Sequence, residues 1–329
     1  MSRIVRIHQN GGPEVLQIDE VDVPPPGAGE IAVQIKALGL NRAESMFRSG
    51  HYVEAPVFPA RLGYEGAGIV TALGAGVTNV AVGDAVSLIP PKSITRWGAY
   101  GEVANFPAEL AVKHPASLSW EEAAATWMQY VTAYGALIEV AQMRRGEAVI
   151  ITAASSSVGL AAIQIAKMIG ATSIATTRTR AKADALRKFG ADHVVVTDEE
   201  DLPARVADIT GGALARVAFD PVAGPALESL AQAVAERGII LEYGALATAP
   251  TPFPLFPVLA KTLTVRGFLY KEIVESPEQL ARAKRFILDG LASGALKPVI
   301  DKVFTLDQIV DAHRYLESNQ QFGKIVVTV

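Results

Sequence analysis

Strands and helices alternate between residues 148 and 267, and this alternation restricts the fold more than any other feature of the chain. The strands are apolar along their whole length, which is typical of strands buried on both faces of a sheet. Strands are predicted at Ala148–Thr152, Ser173–Thr177, His193–Val196, Arg216–Phe219, Gly238–Tyr243 and Leu263–Gly267. Helices are predicted at Val158–Ile169, Arg180–Phe189, Leu202–Thr210 and Pro225–Ala235. The pattern predicts a doubly wound α/β domain, in which helices cover both faces of a parallel sheet.

The residues on either side of this region have a different pattern. Short apolar runs between turn residues predict strands at Ile4–His8, Ile31–Ala37, Gly66–Leu73, Ala85–Ile89 and Tyr100–Asn105. A helix over Glu122–Val140 is predicted to begin with the capping pair Ser119 and Glu122. The tail is predicted to form helices at Pro277–Leu291 and Leu306–Glu317 and strands at Val299–Thr305 and Lys324–Val329. We therefore expect a β-rich domain of residues 1–124, completed by residues 268–329, and a parallel-sheet domain of residues 125–267.

The turn after the first strand of the parallel sheet is a candidate phosphate site. Dinucleotide-binding turns have the pattern G-x-G-x-x-G, and the aligned positions here are Ala153, Ser156 and Gly159. Small residues are kept at all three positions, and the helix N-terminus offers free N–H groups to an anion. The residues predicted to contact the phosphates are Ser155, Ser156, Ser157, Val158 and Gly159. A serine-capped turn without any ligand has the same residues, so this segment alone leaves both interpretations open.

The end of the second strand favours the ligand-binding interpretation. NAD-binding domains carry an acidic residue there for the ribose 2′-hydroxyl, but residues 174–182 contain no acid. Thr177, Arg178 and Lys182 instead supply a hydroxyl and two cations, which suit a 2′-phosphate. NADPH is therefore predicted in preference to NADH. The alternative is a solvated helix start with ordinary surface cations.

Composition excludes several classes of protein. The 329 residues carry a formal charge of −4 with dispersed cations, which argues against a nucleic-acid partner. No apolar run approaches the roughly 20 residues of a membrane span, and the N-terminus is predicted to be a strand. Cysteine is absent, so disulfides, thiolate nucleophiles and Cys-containing zinc sites are excluded. We expect a cytoplasmic location.

The chain resembles the medium-chain dehydrogenase/reductase superfamily and, within it, the zinc-independent quinone oxidoreductases. The resemblance runs almost end to end. It rests on the order and spacing of Gly39-Leu-Asn-Arg42, Arg48-Ser-Gly-His-Tyr52, Leu62-Gly-Tyr-Glu-Gly-Ala-Gly68, Val82-Gly-Asp84, Tyr130-Val-Thr-Ala-Tyr134, the turn at 153–159, Phe189-Gly-Ala-Asp-His193, Phe219-Asp-Pro-Val222 and Gly323-Lys-Ile-Val-Val327.

The resemblance implies a GroES-like β-rich catalytic domain and a Rossmann cofactor domain, with the active site in a cleft between them. Zinc-dependent members have a histidine where this chain has Tyr64, and the segment from Ala85 to Tyr100 is too short for their structural zinc lobe. We expect no metal, and Glu65 is expected to be a structural carboxylate.

Site residues follow from the same resemblance. Tyr52 is expected to donate a hydrogen bond to the substrate carbonyl oxygen, and Asn41 to order the ribose or a water. Met46 stands where some members carry a second tyrosine. Further residues expected to contact the cofactor, besides those of the turn and the second strand, are Thr132, Val222, Tyr243, Gly244, Phe268, Leu269 and Lys324.

The implied activity is NADPH-dependent reduction of quinones, or of the C=C bond of α,β-unsaturated carbonyls, by hydride transfer. Two alternatives remain open: an enoyl-thioester reductase of the same fold, and a sensor that binds NADPH without efficient turnover. The apolar, proline-rich segment 248–258 is expected to line the substrate pocket or a subunit interface. The family pairs its parallel sheets through the last strand, here Leu263–Gly267, so a homodimer is expected.

Overall fold

The computed structural model describes all 329 residues, which form two compact units. The first unit contains Met1–Gln129 and Pro298–Val329, and the second contains Tyr130–Lys297. Elements are numbered along the whole chain. None of the helices has the length and hydropathy needed to cross a bilayer.

The first unit is rich in β-structure, as predicted. Its strands are β1 (Ser2–Ile7), β2 (Leu16–Val21), β3 (Glu30–Gly39), β4 (Ala60–Arg61), β5 (Glu65–Leu73), β6 (Ala85–Leu88), β7 (Val103–Pro107), β8 (Ala111–Lys113), β15 (Ile300–Thr305) and β16 (Lys324–Thr328), and its helices are α1 (Arg42–Ser49), α2 (Trp120–Ala124) and α11 (Ile309–Glu317). The larger sheet has the order β15-β16-β3-β5-β6-β8, with β7 also paired to β3, and the smaller has the order β2-β1-β4. The C-terminal strand β16 therefore joins the sheet of the N-terminal residues.

Small buried residues let α2 lie close to the larger sheet. Ala37 and Ala67 on the sheet pack with Ala123, Ala124 and Ala125 of the α2 segment. Side chains of this size allow close approach of helix and strand backbones at the high packing density of protein interiors.

The predicted helix over 122–140 begins as expected but is not continuous. Its capping box is present, with the Glu122 N–H donating to Ser119 Oγ at 3.2 Å. The helix α2 ends at Ala124, a second helix, α3, covers Trp127–Tyr134, and a π-helical turn follows at Gly135–Val140. The Thr126 hydroxyl donates to the Glu122 carbonyl at 2.7 Å, a local bond that competes with a continuous helix.

The second unit is a doubly wound parallel sheet. Its strands are β9 (Ala148–Ile151), β10 (Thr172–Thr177), β11 (His193–Val196), β12 (Ala215–Asp220), β13 (Val234–Glu242) and β14 (Thr264–Gly267), and its helices are α4 (Ser157–Ile169), α5 (Ala183–Phe189), α6 (Leu202–Thr210), α7 (Ala226–Ala233), α8 (Leu255–Lys261), α9 (Lys271–Glu275) and α10 (Pro277–Ser293). All strands are parallel in the order β11-β10-β9-β12-β13-β14. This is the 3-2-1-4-5-6 order of dinucleotide-binding folds, whose ligands bind at the carboxyl ends of the strands near the switch between β9 and β12.

The boundary after the parallel sheet lies near residue 298 in the structure, whereas the sequence suggested residue 268. Residues 268–297 pack within the second unit. Arg282 forms an ion pair with Glu139 at 2.7 Å, and the rings of Tyr134 and Phe286 lie 5.0 Å apart. These contacts on α10 hold the segment to the second unit.

Six elements were not predicted: β2, β4, β8, α1, α9 and α8. The helix α8 includes the end of the proline-rich segment 248–258, for which no helix was predicted. It begins directly after Pro254, and Pro257 lies in the first turn, where a missing N–H costs no intrahelical hydrogen bond.

Candidate functional site

The turn between β9 and α4 has the backbone arrangement of an anion site. Ser156 caps α4, its hydroxyl accepting from the Gly159 N–H at 3.1 Å. The Ser156 N–H donates to the Ala153 carbonyl at 2.9 Å, and Ala153 has a positive φ of 45°. Ser157 and Val158 then open a thirteen-residue helix, whose first N–H groups lack intrahelical partners. The turn can therefore offer backbone donors and serine hydroxyls to a phosphate.

Gly159 is the one position of this turn where glycine is required by space. A Cβ atom there would lie 2.6 Å from both Cα and the carbonyl oxygen of Ala154. A side chain would push α4 away from the turn, whereas Ala153 and Ser156 are accommodated. The two missing glycines of the G-x-G-x-x-G pattern are thus compatible with a dinucleotide-binding turn.

The predicted cation pair lies beside this turn. Lys182 donates to Ser155 Oγ at 3.2 Å, which brings the two predicted cofactor residues together. The exposed Arg178 side chain makes no hydrogen bond or ion pair, whereas Arg180 is paired with Glu199 at 2.6 Å. Thr177 ends β10, and its hydroxyl donates to the Thr179 carbonyl at 3.2 Å. Arg178 is therefore the guanidinium available for a phosphate.

The carboxyl ends of β12 and β13 form the other side of the switch point. The buried Asp220 carboxylate accepts from the Thr152 hydroxyl, from the Val222 N–H at 3.0 Å and from the Ala223 N–H at 2.8 Å. It therefore fixes the loop carrying the predicted residue Val222 to the end of β9. Burial, reinforced by the Asp220 carboxylate, raises the pKa of Glu242 to about 8. Glu242 is therefore mainly protonated at neutral pH.

Two of the predicted contacts lie just beyond Glu242. The Tyr243 ring stacks on Phe219 with centroids 4.0 Å apart. A Cβ atom on Gly244 would lie 2.7 Å from the Pro221 carbonyl oxygen, so glycine lets the backbone pass close to Pro221, and the contact of Gly244 with the cofactor stays a prediction. The structure brings Tyr243 and Gly244 to the same edge of the sheet as Val222.

Three other predicted cofactor residues of the second unit are less open. Phe268 and Thr132 are buried, with 2% and 6% of their surfaces exposed, and Leu269 is half-buried. The Phe268 ring lies against Gly135, where an added Cβ would be 2.7 Å from the ring atom Cζ. Phe268 therefore packs inside the unit, and its contact with the cofactor stays a prediction.

Lys324, predicted to contact the cofactor, is buried in the first unit. Its ammonium forms an ion pair with Glu65 and donates to Asn41 Oδ1 at 2.6 Å, and the side chains of Lys324 and Glu65 are 0% and 1% exposed. The other Glu65 oxygen accepts from the Met128 N–H at 2.9 Å. The charge of Lys324 is thus satisfied inside the first unit, and its contact with the cofactor stays a prediction. Glu65 is a structural carboxylate, as expected.

Asn41 is likewise occupied by neighbours in the first unit. Its Nδ2 group donates to Glu65 Oε1 and to the Gly39 carbonyl, both at 3.2 Å. Its backbone N–H donates to Glu44 Oε2 at 2.7 Å at the start of α1. Only 7% of Asn41 is exposed, so its role in ordering a ribose or water stays a prediction.

A buried network surrounds Glu44, which the sequence analysis did not single out. Glu44 accepts from the Tyr64 N–H at 2.9 Å and from the Tyr100 hydroxyl at 2.6 Å, and Tyr100 contacts His313 Nε2 at 3.2 Å. Burial raises the pKa of Glu44 to about 7 and lowers that of His313 to about 3, so the histidine is neutral. The spacing of Asn41 and Glu44, typical of a helix start, was the available signal.

Tyr52 lies in the irregular segment after α1, half-buried, with its ring edge-on to the Tyr64 ring at 6.2 Å. Burial raises its pKa above the usual value near 10, so the phenol keeps its proton at neutral pH. His51 is exposed, and its ring Nδ1 lies 3.3 Å from the Ser49 hydroxyl. The role of Tyr52 as hydrogen-bond donor to a substrate stays a prediction.

No group of three or more His, Cys, Asp or Glu side chains is arranged to hold a metal ion. The buried carboxylates Glu44 and Glu65 are already bound by protein donors. Glu44 accepts from the Asn41 N–H, and Glu65 forms an ion pair with Lys324.

Two family models match the chain. The alcohol dehydrogenase GroES-like domain matches residues 27–116, and the zinc-binding dehydrogenase domain matches residues 157–287. The first match lies in the β-rich unit and the second in the parallel-sheet unit.

Similar proteins cover the chain almost completely. Quinone oxidoreductase 1 of Escherichia coli is 34% identical over 98% of both chains, and a 2-haloacrylate reductase of Burkholderia is 29% identical over 98% of this chain and 97% of that protein. The crystal structure of E. coli quinone oxidoreductase with NADPH superposes with a TM-score of 0.91 at 33% identity, covering all of both chains. The chain belongs to the quinone oxidoreductase family of the medium-chain dehydrogenases/reductases.

Proposed function

We propose that this protein is a zinc-independent, NADPH-dependent reductase of quinones or of the C=C bond of α,β-unsaturated carbonyls. The observation that carries the proposal is the serine-capped turn with Lys182 hydrogen-bonded to it and an unpaired Arg178 beside it, at the switch point of a parallel sheet. The similar E. coli enzyme was crystallised with NADPH, which supports the same cofactor here.

The residues of the second unit fit this cofactor. The turn at 153–159 supplies donors for the diphosphate, and Arg178 and Lys182 supply charge for a 2′-phosphate. Val222, Tyr243 and Gly244 line the same edge for the ribose. Bound NADPH supplies a hydride, which suits acceptors that are already electrophilic, such as quinones, enones and haloacrylates.

Tyr52 is the proposed hydrogen-bond donor to the acceptor. A reduced quinone or enone gains negative charge on its oxygen, and a donor aimed at that atom stabilises the charge. The raised pKa of Tyr52 keeps the proton on the phenol at neutral pH, as a donor requires.

Replacing Tyr52 by phenylalanine is expected to lower kcat about 10-fold to 100-fold, because the donor is lost while hydride chemistry remains. The dissociation constant of NADPH, measured by fluorescence titration, should change less than about twofold. Tyr315→Phe is the matched control, since that hydroxyl donates to Asp301 on the surface. An unchanged kcat in Tyr52→Phe would remove Tyr52 from the mechanism.

The function itself is tested by measuring the rate of NADPH consumption with quinones, with enones and with an enoyl thioester as acceptors. A metal chelator is present in each assay, and NADH is assayed in parallel. Chelator-insensitive turnover of quinones or enones that prefers NADPH is expected. Faster reduction of the thioester would favour the enoyl-thioester reductase, and tight NADPH binding without turnover would favour a sensor. Turnover that stops in chelator would contradict the proposal.

A homodimer is part of the proposal. The strand β14 lies at one edge of the parallel sheet. Beside it in the chain, segment 253–259 exposes large apolar side chains, namely Phe253 (58%), Leu255 (50%), Phe256 (80%) and Leu259 (66%). A second copy that pairs edge to edge would cover both features about a twofold axis.

Phe256→Glu is expected to convert a dimer into a monomer in sedimentation at micromolar concentration, because a carboxylate would be buried against apolar side chains. Val82→Glu, at an exposed valine of the first unit, is the control and should leave the dimer intact. A wild-type monomer would contradict this part of the proposal.

A cytoplasmic location stays a prediction from the sequence.

A further inference from the structure

Tyr52 lies in a short irregular segment whose start is fixed by the end of α1. The His51 N–H donates to the Met46 carbonyl at 2.9 Å, and Gly50 has a left-handed φ of 78°, as is common just beyond a helix. A Cβ atom on Gly50 would lie 2.5 Å from Asn10 Nδ2, so the turn packs closely against that side chain. The backbone that leads into Tyr52 is therefore held by α1.

Glu54 fixes the segment on the other side of Tyr52. Its carboxylate accepts from the Ser93 hydroxyl, from the Thr95 N–H at 3.1 Å and from the Ile94 N–H at 3.3 Å. The donors belong to three consecutive residues, and both carboxylate oxygens are used. Hydrogen bonds to a charged acceptor are roughly twice as strong as those between neutral groups. Glu54 thus ties the segment to the turn that begins at Ser93.

That turn is itself held in place by the rest of the first unit. The Ile94 side chain is buried, with 0% of its surface exposed. The Trp97 N–H donates to the Ser93 carbonyl at 3.1 Å, and the Trp97 indole N–H donates to Glu30 on β3 at 2.8 Å. The bonds to Glu54 therefore attach an irregular segment to a fixed part of the unit.

The attachment decides which way Tyr52 faces. Exposure alternates along the segment, because Tyr52 and Glu54 are half-buried whereas Val53 and Ala55 are exposed. Residues two apart in an extended chain point to the same side, so holding Glu54 inward also turns Tyr52 inward. The Tyr52 ring then meets the Tyr64 ring edge-on, with centroids 6.2 Å apart.

We propose that Glu54 is a positioning residue for the reduction, and that its bonds to residues 93–95 hold the Tyr52 hydroxyl in place as donor to the acceptor oxygen. Glu54 acts only through Tyr52, so its loss should cost no more activity than the loss of the Tyr52 hydroxyl itself. This inference rests on the proposed function of Tyr52.

The test is Glu54→Ala, which removes every bond of the carboxylate. We expect kcat with a quinone or enone to fall about 5-fold to 10-fold with unchanged NADPH affinity, because a displaced donor stabilises the developing charge less. Glu54→Gln keeps an oxygen for Ser93 and Thr95 and should restore kcat to within about threefold of the wild type. In a Tyr52→Phe background, Glu54→Ala should change kcat by less than about twofold.

Asp84→Ala is the matched control, since the Asp84 carboxylate holds another turn of the same unit through the Ala81 N–H at 2.7 Å. It should leave kcat unchanged even where it lowers stability. In the protein without acceptor, the NMR signal of the isotopically labelled Tyr52 ring should move in Glu54→Ala but not in Asp84→Ala. Ser93→Ala removes one donor from the other side of the attachment, should move the signal as well, and carries the test if Glu54→Ala does not fold.

An unchanged kcat in Glu54→Ala, an equal loss of kcat in the Tyr52→Phe background, or an unmoved Tyr52 signal would overturn the inference. If the wild-type protein reduces no acceptor, the proposed function fails. The NMR signal then still decides whether Glu54 positions Tyr52, so the two failures are distinguishable.

Discussion

Replacing Lys324 by methionine is expected to lower the free energy of unfolding of the first unit by about 3–5 kcal/mol, the cost of leaving one member of a buried ion pair without its partner. Glu65 would keep its bonds from Met128 and Asn41 but lose its only cation. Chemical denaturation of the variant and the wild type measures the difference.

The double variant Glu65→Gln/Lys324→Met tests the cause of this loss. Because no charge is then left unpaired, it should recover much of the stability lost in Lys324→Met. Lys302→Met, on the neighbouring strand β15, is the matched control and should change stability by less than about 1 kcal/mol, because Lys302 is exposed. A Lys324→Met variant of normal stability with weakened NADPH binding would instead support the cofactor contact predicted from the sequence.

Replacing Arg178 by alanine is expected to weaken NADPH binding about 10-fold to 100-fold, since a charge-assisted hydrogen bond contributes about 1.5–3 kcal/mol. NADH lacks the 2′-phosphate, so its dissociation constant should change less than about threefold. Fluorescence titration with both cofactors measures the ratio. Arg178 has no protein partner to lose, so its removal should leave stability unchanged.

Arg180→Ala is the matched control for this experiment. It removes a guanidinium two residues away that is already paired with Glu199, and it should alter the affinity for neither cofactor. Equal weakening of NADPH and NADH in Arg178→Ala would show that Arg178 does not recognise the 2′-phosphate.

The parallel-sheet unit was predictable because its signals are local. His193–Val196 and Leu202–Thr210 were predicted with the bounds the structure has, since apolar runs, turn residues and the Asp201 cap specify them within a few residues. The helix α1 was missed because its sequence is mostly polar, although the Asn41 and Glu44 pair marked its start. The helix α8 was missed because its segment is rich in proline, although the helix begins directly after Pro254.

The site was predictable only where neighbours in sequence build it. Ser155, Ser156 and Gly159 belong to one turn, and their arrangement follows from the strand and helix around them. The partnership of Lys324 with Glu65 joins β16 to β5, strands from opposite ends of the chain, and no local pattern distinguishes a buried lysine from a free one. The approach of Tyr64 to Tyr52 depends in the same way on tertiary packing.

The most direct test of the proposed reductase is the position of deuterium in the product when an enone is reduced with NADPH deuterated at its transferable position. We expect deuterium on the β-carbon and a solvent proton on the α-carbon, because the acceptor is reduced at its electrophilic carbon while Tyr52 hydrogen-bonds the carbonyl oxygen. Deuterium on the carbonyl carbon, giving an allylic alcohol, would contradict reduction of the C=C bond and point to the chemistry of an alcohol dehydrogenase.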